Sequence, residues 1–170
     1  MPNWCANVLD MWHDDSAMID RAKKALEDER FCDEFVPLPE ALKETTAPSL
    51  PNKDLISETG YSDWYNHNIG EWGTKWDFGS SDISQESKNH LCASFDSAWS
   101  PPLELMSKLE EMGFNVRLQY YEPGMDFCGV YEAGFDETWN CGDAPEVVRE
   151  FWNMDDNEDE DWDPDEEQNE

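Results

Sequence analysis

The chain has 170 residues, with 41 acidic against 11 basic side chains and a net charge of −30. That length suits one compact domain, and the charge argues against direct contact with a phosphate backbone or an anionic membrane, both of which recruit Lys and Arg. Nine Trp, eight Phe and five Tyr exclude a chain that never collapses.

The opening residues, Met1-Pro2-Asn3-Trp4-Cys5, carry neither the basic nor the apolar region of a signal peptide. No uncharged apolar run approaches the ~18–20 residues of a membrane helix. The five cysteines are odd in number, scattered and without a C-x-x-C pair. These features predict buried free thiols in a soluble protein of the host-cell cytoplasm, with no membrane partner.

Residues 3–11 alternate as a first strand. Asp14, Asp15 and Ser16 offer a helix N-cap, and Met18, Ile19, Ala22, Ala25 and Leu26 then follow one helical face, to an end near Arg30. Residues 31–39 read as extended, because Pro37 and Pro39 push their predecessors out of helical space. The stretch of about 40–80, with weak periodicity, Gly60, Gly70, Gly73 and Gly79, and Tyr61, Trp64, Tyr65, Trp72 and Trp76, reads as an insertion of short helices and loops that packs through aromatics.

Leu91, Ala93 and Phe95 alternate with polar residues as a second strand. Ser100 is placed to cap a helix beginning at Pro101-Pro102, with Leu105, Met106, Leu109 and Met112 as its apolar face and Gly113 just past its end. Phe114 to Tyr120 alternates again, Glu122-Pro123-Gly124 turns the chain, and residues 126–135 form a last strand before a short helix over 145–153. This order predicts an α+β fold, a ferredoxin-like antiparallel sheet with helices on one face, interrupted by the aromatic-rich insertion. Residues 155–170 hold 11 acids and no base, so 1–154 carries −19. The expected organisation is one domain over 1–154 followed by a disordered acidic tail.

Four strings occur in order: Met1-Pro2-Asn3-Trp4-Cys5-Ala6-Asn7, Trp72-Gly73-Thr74-Lys75-Trp76-Asp77, Ala98-Trp99-Ser100-Pro101-Pro102 and Tyr121-Glu122-Pro123-Gly124. Together they resemble the YubB-like family of small plasmid and phage proteins, over roughly residues 1–135. The resemblance implies a mobile-element origin and a ferredoxin-like domain, and it carries no catalytic residue or ligand with it. The acidic C-terminus departs from that pattern.

No catalytic constellation is written in the chain. His13, His67 and His90 lack ligand spacing, no G-x-S-x-G elbow or phosphate loop occurs, and 41 acids make an accidental carboxylate pair uninformative. The expectation is a non-enzyme with no metal and no cofactor. Trp72 and Trp76 around Lys75 have two readings, a stacking platform for a partner or anchors of the insertion, and the anchor reading is favoured because buried aromatics dominate core energetics. Trp99 reads as a staple over the following helix start. Direct nucleic-acid binding is disfavoured, since residues 89–154 carry three bases against twelve acids.

The charge remains the strongest signal. It points to a partner that is a basic nucleic-acid-binding host protein, such as a defence nuclease, inhibited by an anti-defence decoy of the anti-CRISPR or antirestriction kind, with DNA mimicry as one form. The candidate contact residues are Trp72, Lys75, Trp76 and Trp99 in the body. In the tail they are Asp155, Asp156, Glu158, Asp159, Glu160, Asp161, Trp162 and Asp163. The alternative is a nucleic-acid-associated accessory module using exposed aromatics of the insertion and sheet.

Overall fold

The computed structural model describes residues 3–154. In chain order these form β1 (Trp4–Trp12), α1 (Ser16–Glu27), α2 (Phe31–Phe35), α3 (Glu40–Lys43), α4 (Lys53–Thr59) and α5 (Trp64–Glu71). Then follow β2 (Asp82–Ser87), β3 (His90–Ala98), α6 (Leu103–Glu111), β4 (Asn115–Glu122), β5 (Phe127–Glu132), β6 (Phe135–Trp139) and α7 (Glu146–Phe151).

The strands make one antiparallel sheet in the order β2-β3-β1-β4-β5-β6. Its first four members, with α1 and α6 as the two crossovers, have the ferredoxin-like β-α-β-β-α-β connectivity. The β5–β6 hairpin extends that sheet at the β4 edge, and helices α2–α5 lie between α1 and β2.

Side-chain alternation divides the sheet. Cys5, Leu9 and Met11 of β1, Leu91 and Ala93 of β3, and Val116 and Leu118 of β4 point to one face. There they form the main core with Ile19, Ala22 and Leu26 of α1 and Leu105, Met106 and Leu109 of α6. Among the described residues the opposite face is covered by Val148 of α7 and Trp152, which pack with Tyr121, Cys128, Val130 and Trp139. The two long helices thus share one face, as the periodicity implied, and the C-terminal helix lies across the other.

Several local expectations give way to longer-range bonds. Residues 31–35 are helical rather than extended, because the Asp77 carboxylate accepts from the amides of Cys32 (2.6 Å) and Asp33 (2.9 Å) and so caps α2 from a distant part of the chain. The prolines act only beyond that turn, where Val36 leaves the helix with φ −135° and ψ 80°. α6 starts at Leu103, and the Ser100 hydroxyl does not cap it. Ser100 Oγ donates instead to the carbonyl of Gly73 (2.5 Å). The single strand expected over 126–135 ends at Glu132, where Ala133 (φ 50°) and Gly134 (φ 78°) make a two-residue left-handed turn into β6. β2 is a polar edge strand with a register shift between Ser84 and Ser87, and its sequence has no apolar alternation to announce it.

Candidate functional site

Residues 72–78 join the insertion to the sheet, and most of them are fully occupied by that task. Trp72 is 3% exposed and its indole Nε1 donates to the Val36 carbonyl (2.8 Å). Gly73 has φ +81° and backs onto the amides of Leu103 and Glu104, so its lack of a side chain is used twice. Thr74 Oγ1 donates to the Ala98 carbonyl (3.0 Å), and Asn68 Nδ2 holds the Lys75 carbonyl (2.9 Å). Asp77 caps α2, and Phe78 stacks on Phe95 with centroids 4.0 Å apart. Burial pushes the Asp77 carboxyl above its usual range, against the three amides that bind its anion.

Two side chains of this segment are left over. Trp76 is 39% exposed and carries the Lys75 ammonium 4.5 Å above its ring. Trp76 also meets Trp4, which is 51% exposed, at 6.1 Å between centroids. Among the described residues no carboxylate lies within ion-pair distance of Lys75.

Beside them runs an open groove of about 340 Å³, lined by the Ala47-Pro48 segment and by Trp64, Tyr65, Asn66, Lys75 and Trp99. Trp64 and Tyr65 stand edge to face at 5.9 Å and 89°. Trp99 is 47% exposed and sits at φ +75°, a left-handed backbone that disfavours a bulky side chain by roughly 1–2 kcal/mol. Its amide donates to the Asn3 carbonyl (3.0 Å), which helps hold that conformation at the end of β3.

The groove walls are fixed from behind by Asp63, which is fully buried. One carboxylate oxygen accepts from the Asn66 amide (2.8 Å) and so caps α5. The other accepts from the amide and hydroxyl of Ser49, from Ser62 Oγ and from Asn66 Nδ2. Burial raises the Asp63 pKa, but the bonds from Asn66, Ser49 and Ser62 outweigh it and the carboxyl ends below its usual range. On the far side of α5, Glu71 bonds Lys108 of α6 (2.7 Å) and the Tyr61 hydroxyl. Those two partners depress the Glu71 carboxyl, and Tyr61 is pushed up to about 12 chiefly by its bond to Glu71.

Of the four body residues singled out from sequence, Lys75, Trp76 and Trp99 gather at this corner, and Trp72 is an anchor beneath it. The tail candidates, Asp155, Asp156, Glu158, Asp159, Glu160, Asp161, Trp162 and Asp163, lie outside the described residues. Sequence reasoning missed Pro48, Asn66 and the use of Trp64 and Tyr65 as a lining. The Trp64-Tyr65 pair behind an Asp63 cap was a signal, but the segment of Pro48 is joined to it by long-range bonds from Ser49 to Asp63 and to the Ser62 carbonyl.

Charge is arranged less selectively. Arg21 and Arg30 meet Glu34, Lys24 meets Asp28, Lys43 meets Glu40, Lys108 meets Glu71 and Arg117 meets Glu132, so six of the eleven bases are cancelled locally. On the less covered sheet face the register aligns Asp82, Asp96, Asp10, Glu132 and Glu137 beside Arg117 and His90. Six strands span roughly 24 Å at ~4.8 Å spacing, a length over which duplex DNA carries about 14 charges. The face falls well short of that density. Further acids lie on α1 and α6, including exposed Asp20, Glu27, Glu104 and Glu111.

Burial pushes up the thiols of all five cysteines, Cys5 and Cys141 to about 12, so none is an activated nucleophile near neutrality. Among the described residues no group of three His, Cys, Asp or Glu is placed to hold a metal ion, and no helix is long and apolar enough to cross a membrane.

A family model described as the ferredoxin-like domain in Api92-like protein matches residues 71–168. The match begins at the end of α5 and continues into the acidic C-terminus, which therefore lies within this family's pattern. Among solved structures, the crystal structure of a protein api92 from Yersinia pseudotuberculosis is similar over 85% of this chain and 100% of that chain, with 12% identity and a TM-score of 0.47. No curated protein matches the sequence.

Proposed function

The chain belongs to the family of the ferredoxin-like domain in Api92-like proteins, and from that premise we propose that it is a non-catalytic inhibitor from a plasmid or phage, of YubB-like kind. Its target is a basic nucleic-acid-binding host protein in the cytoplasm, such as a defence nuclease, whose nucleic-acid groove it occupies. The observation that carries this reading is the net −19 of the body, in which most bases are already spent on neighbouring acids. Such a surface presents uncompensated carboxylate to a partner, and long-range attraction to a cationic groove speeds encounter.

The spread of the acids favours a general anionic occupant over a phosphate-by-phosphate copy of DNA. With ~8 Å screening at physiological ionic strength, a contact of this kind weakens steeply as salt rises. The test is capture of host proteins by the full chain at low and high salt, followed by competition with duplex DNA and assay of the captured protein's DNA-directed activity. A basic DNA-binding protein that is inhibited by the chain and released by both salt and DNA is the expected result. Capture insensitive to salt and to DNA overturns the proposal.

The exposed Trp4–Trp76 pair with Lys75 supports a second reading, an accessory module that stacks single-stranded bases. It requires single-strand binding by the full chain at low salt that is lost in Trp76→Ala.

A further inference from the structure

We propose that the groove between the Ala47-Pro48 segment, α5 and Trp99 is a binding site for a mononucleotide, a planar base bearing a single phosphate group. The inference is independent of the partner proposed above.

Three properties of the groove select this chemistry. First, its lining is aromatic on several sides: Trp64 and Tyr65 meet at 89°, so one ring can stack on a flat ligand while the other abuts its edge, and exposed Trp99 stands at the margin. Base–aromatic stacking contributes ~1–3 kcal/mol per base and tolerates any base. Second, Lys75 is part of the lining, its ammonium rests 4.5 Å over the Trp76 ring beside the groove, and it is one of the few bases with no carboxylate partner in the described chain, so a phosphate at the groove's Lys75 side would meet a cation not neutralised by an acid. In a body of net −19 it is a local positive charge, suited to one phosphate. Third, Asn66 is held by Nδ2 bonds to Ser62 Oγ (3.0 Å) and Asp63 Oδ2 (2.9 Å), which fixes the flip of its amide. Among the described residues no protein donor meets its Oδ1, so an acceptor for a base N–H remains at the groove.

The magnitudes decide between a single nucleotide and a strand. A groove of about 340 Å³ lies at the lower end of the ~300–1,000 Å³ range of small-molecule sites. Each additional phosphate of a strand would face the anionic body with no second unpaired cation lining the groove. The occupied groove therefore takes one base and one phosphate, and the strained left-handed backbone of Trp99 is accounted for as the means of presenting its ring there.

The test is a titration of the full ¹⁵N-labelled chain at low salt with AMP, adenosine and ribose 5-phosphate, following the tryptophan indole N–H signals. AMP is expected to shift the Trp64 and Trp99 signals and leave buried Trp72 unmoved. Adenosine and ribose 5-phosphate, each holding half of the recognition, should bind at least roughly tenfold more weakly. Lys75→Gln should weaken AMP by a similar factor while leaving adenosine unchanged, and it keeps the fold because the Lys75 side chain makes no buried bond. Absence of indole shifts up to about 10 mM AMP, ribose 5-phosphate binding as well as AMP, or equal AMP binding in Lys75→Gln each overturns the proposal. None of these outcomes depends on whether a host protein is captured, so the two proposals fail separately.

Discussion

Asp63 Oδ2 takes hydrogen bonds from both the amide (3.3 Å) and the hydroxyl (3.0 Å) of Ser49, fourteen residues upstream. Because the other Asp63 oxygen caps α5, one buried carboxylate joins the two walls of the aromatic groove. The groove is thus a product of a polar clamp as much as of the aromatic residues that line it.

Removing the clamp should be felt in stability and in the groove together. Asp63→Ala leaves the donors of Ser49, Ser62 and Asn66 without their partner and is expected to destabilise the fold by about 3 kcal/mol. The pH dependence follows from the depressed native pKa. Above the unfolded value of ~3.9 the carboxylate is ionised in both states and its contribution is complete. As pH falls below that value the unfolded chain takes up the proton first, and the contribution is lost as pH drops through the lower native pKa. Urea unfolding of wild type and Asp63→Asn from pH 7 to 3 checks this: the gap stays constant above about pH 5 and closes in acid.

Trp72 and Trp76 have the same chemistry four residues apart and should respond oppositely. Trp72→Ala empties a buried site and strands the Val36 carbonyl, for a loss of about 3–5 kcal/mol. Trp76→Ala removes a half-exposed ring and is expected to change stability by less than about 1 kcal/mol. Thermal unfolding of the two variants separates them, and equal losses would show that Trp76 is an anchor too.

How far the fold could be read from sequence follows from where its bonds run. β1, α1, α6 and β4 each bury one stripe of side chains, so their periodicity is local and legible. The helical turn at Phe31–Phe35 depends on Asp77, and β2 depends on pairing with β3, so neither is written in its own residues. The groove was half legible for the same reason. Lys75, Trp76 and Trp99 stood out by type, while Pro48 and Asn66 acquire their positions through Asp63.

The cysteines give a third expectation. Burial raises every thiol, and at Cys141 the bond to Asp126 adds to it, so thiolate is scarce at neutral pH even at the partly exposed Cys92 and Cys141. A thiol-specific disulfide reagent at pH 7.5 should label the native chain far more slowly than the urea-unfolded chain, which reacts at all five positions. Rapid labelling of Cys92 or Cys141 in the native state would show that the burial is breached by local opening.

The β4–β5 ladder supplies the sharpest steric prediction. Gly129 stands opposite Tyr120 in the register, and Tyr120 lies flat across it on the core face. The Tyr120 hydroxyl donates to Asp136 Oδ1 (2.6 Å) and lies 2.6 Å from Thr138 Oγ1, so the ring is pinned to β6 across the glycine. A Cβ at position 129 would fall on the end of that ring and within 2.7 Å of the Glu137 carbonyl, which is backbone and cannot step aside. Gly129→Ala must therefore displace a buried phenol and break its bonds, an expected loss of about 2–4 kcal/mol. Gly142→Ala, where no atom lies within 4 Å of the added carbon, is the matched control and should be near neutral. Urea midpoints that fall in Gly129→Ala at unchanged slope, with Gly142→Ala like wild type, would confirm that the Tyr120 crossing holds the β5–β6 extension to the ferredoxin-like sheet. Equal midpoints in the two variants would mean that the ring can move aside.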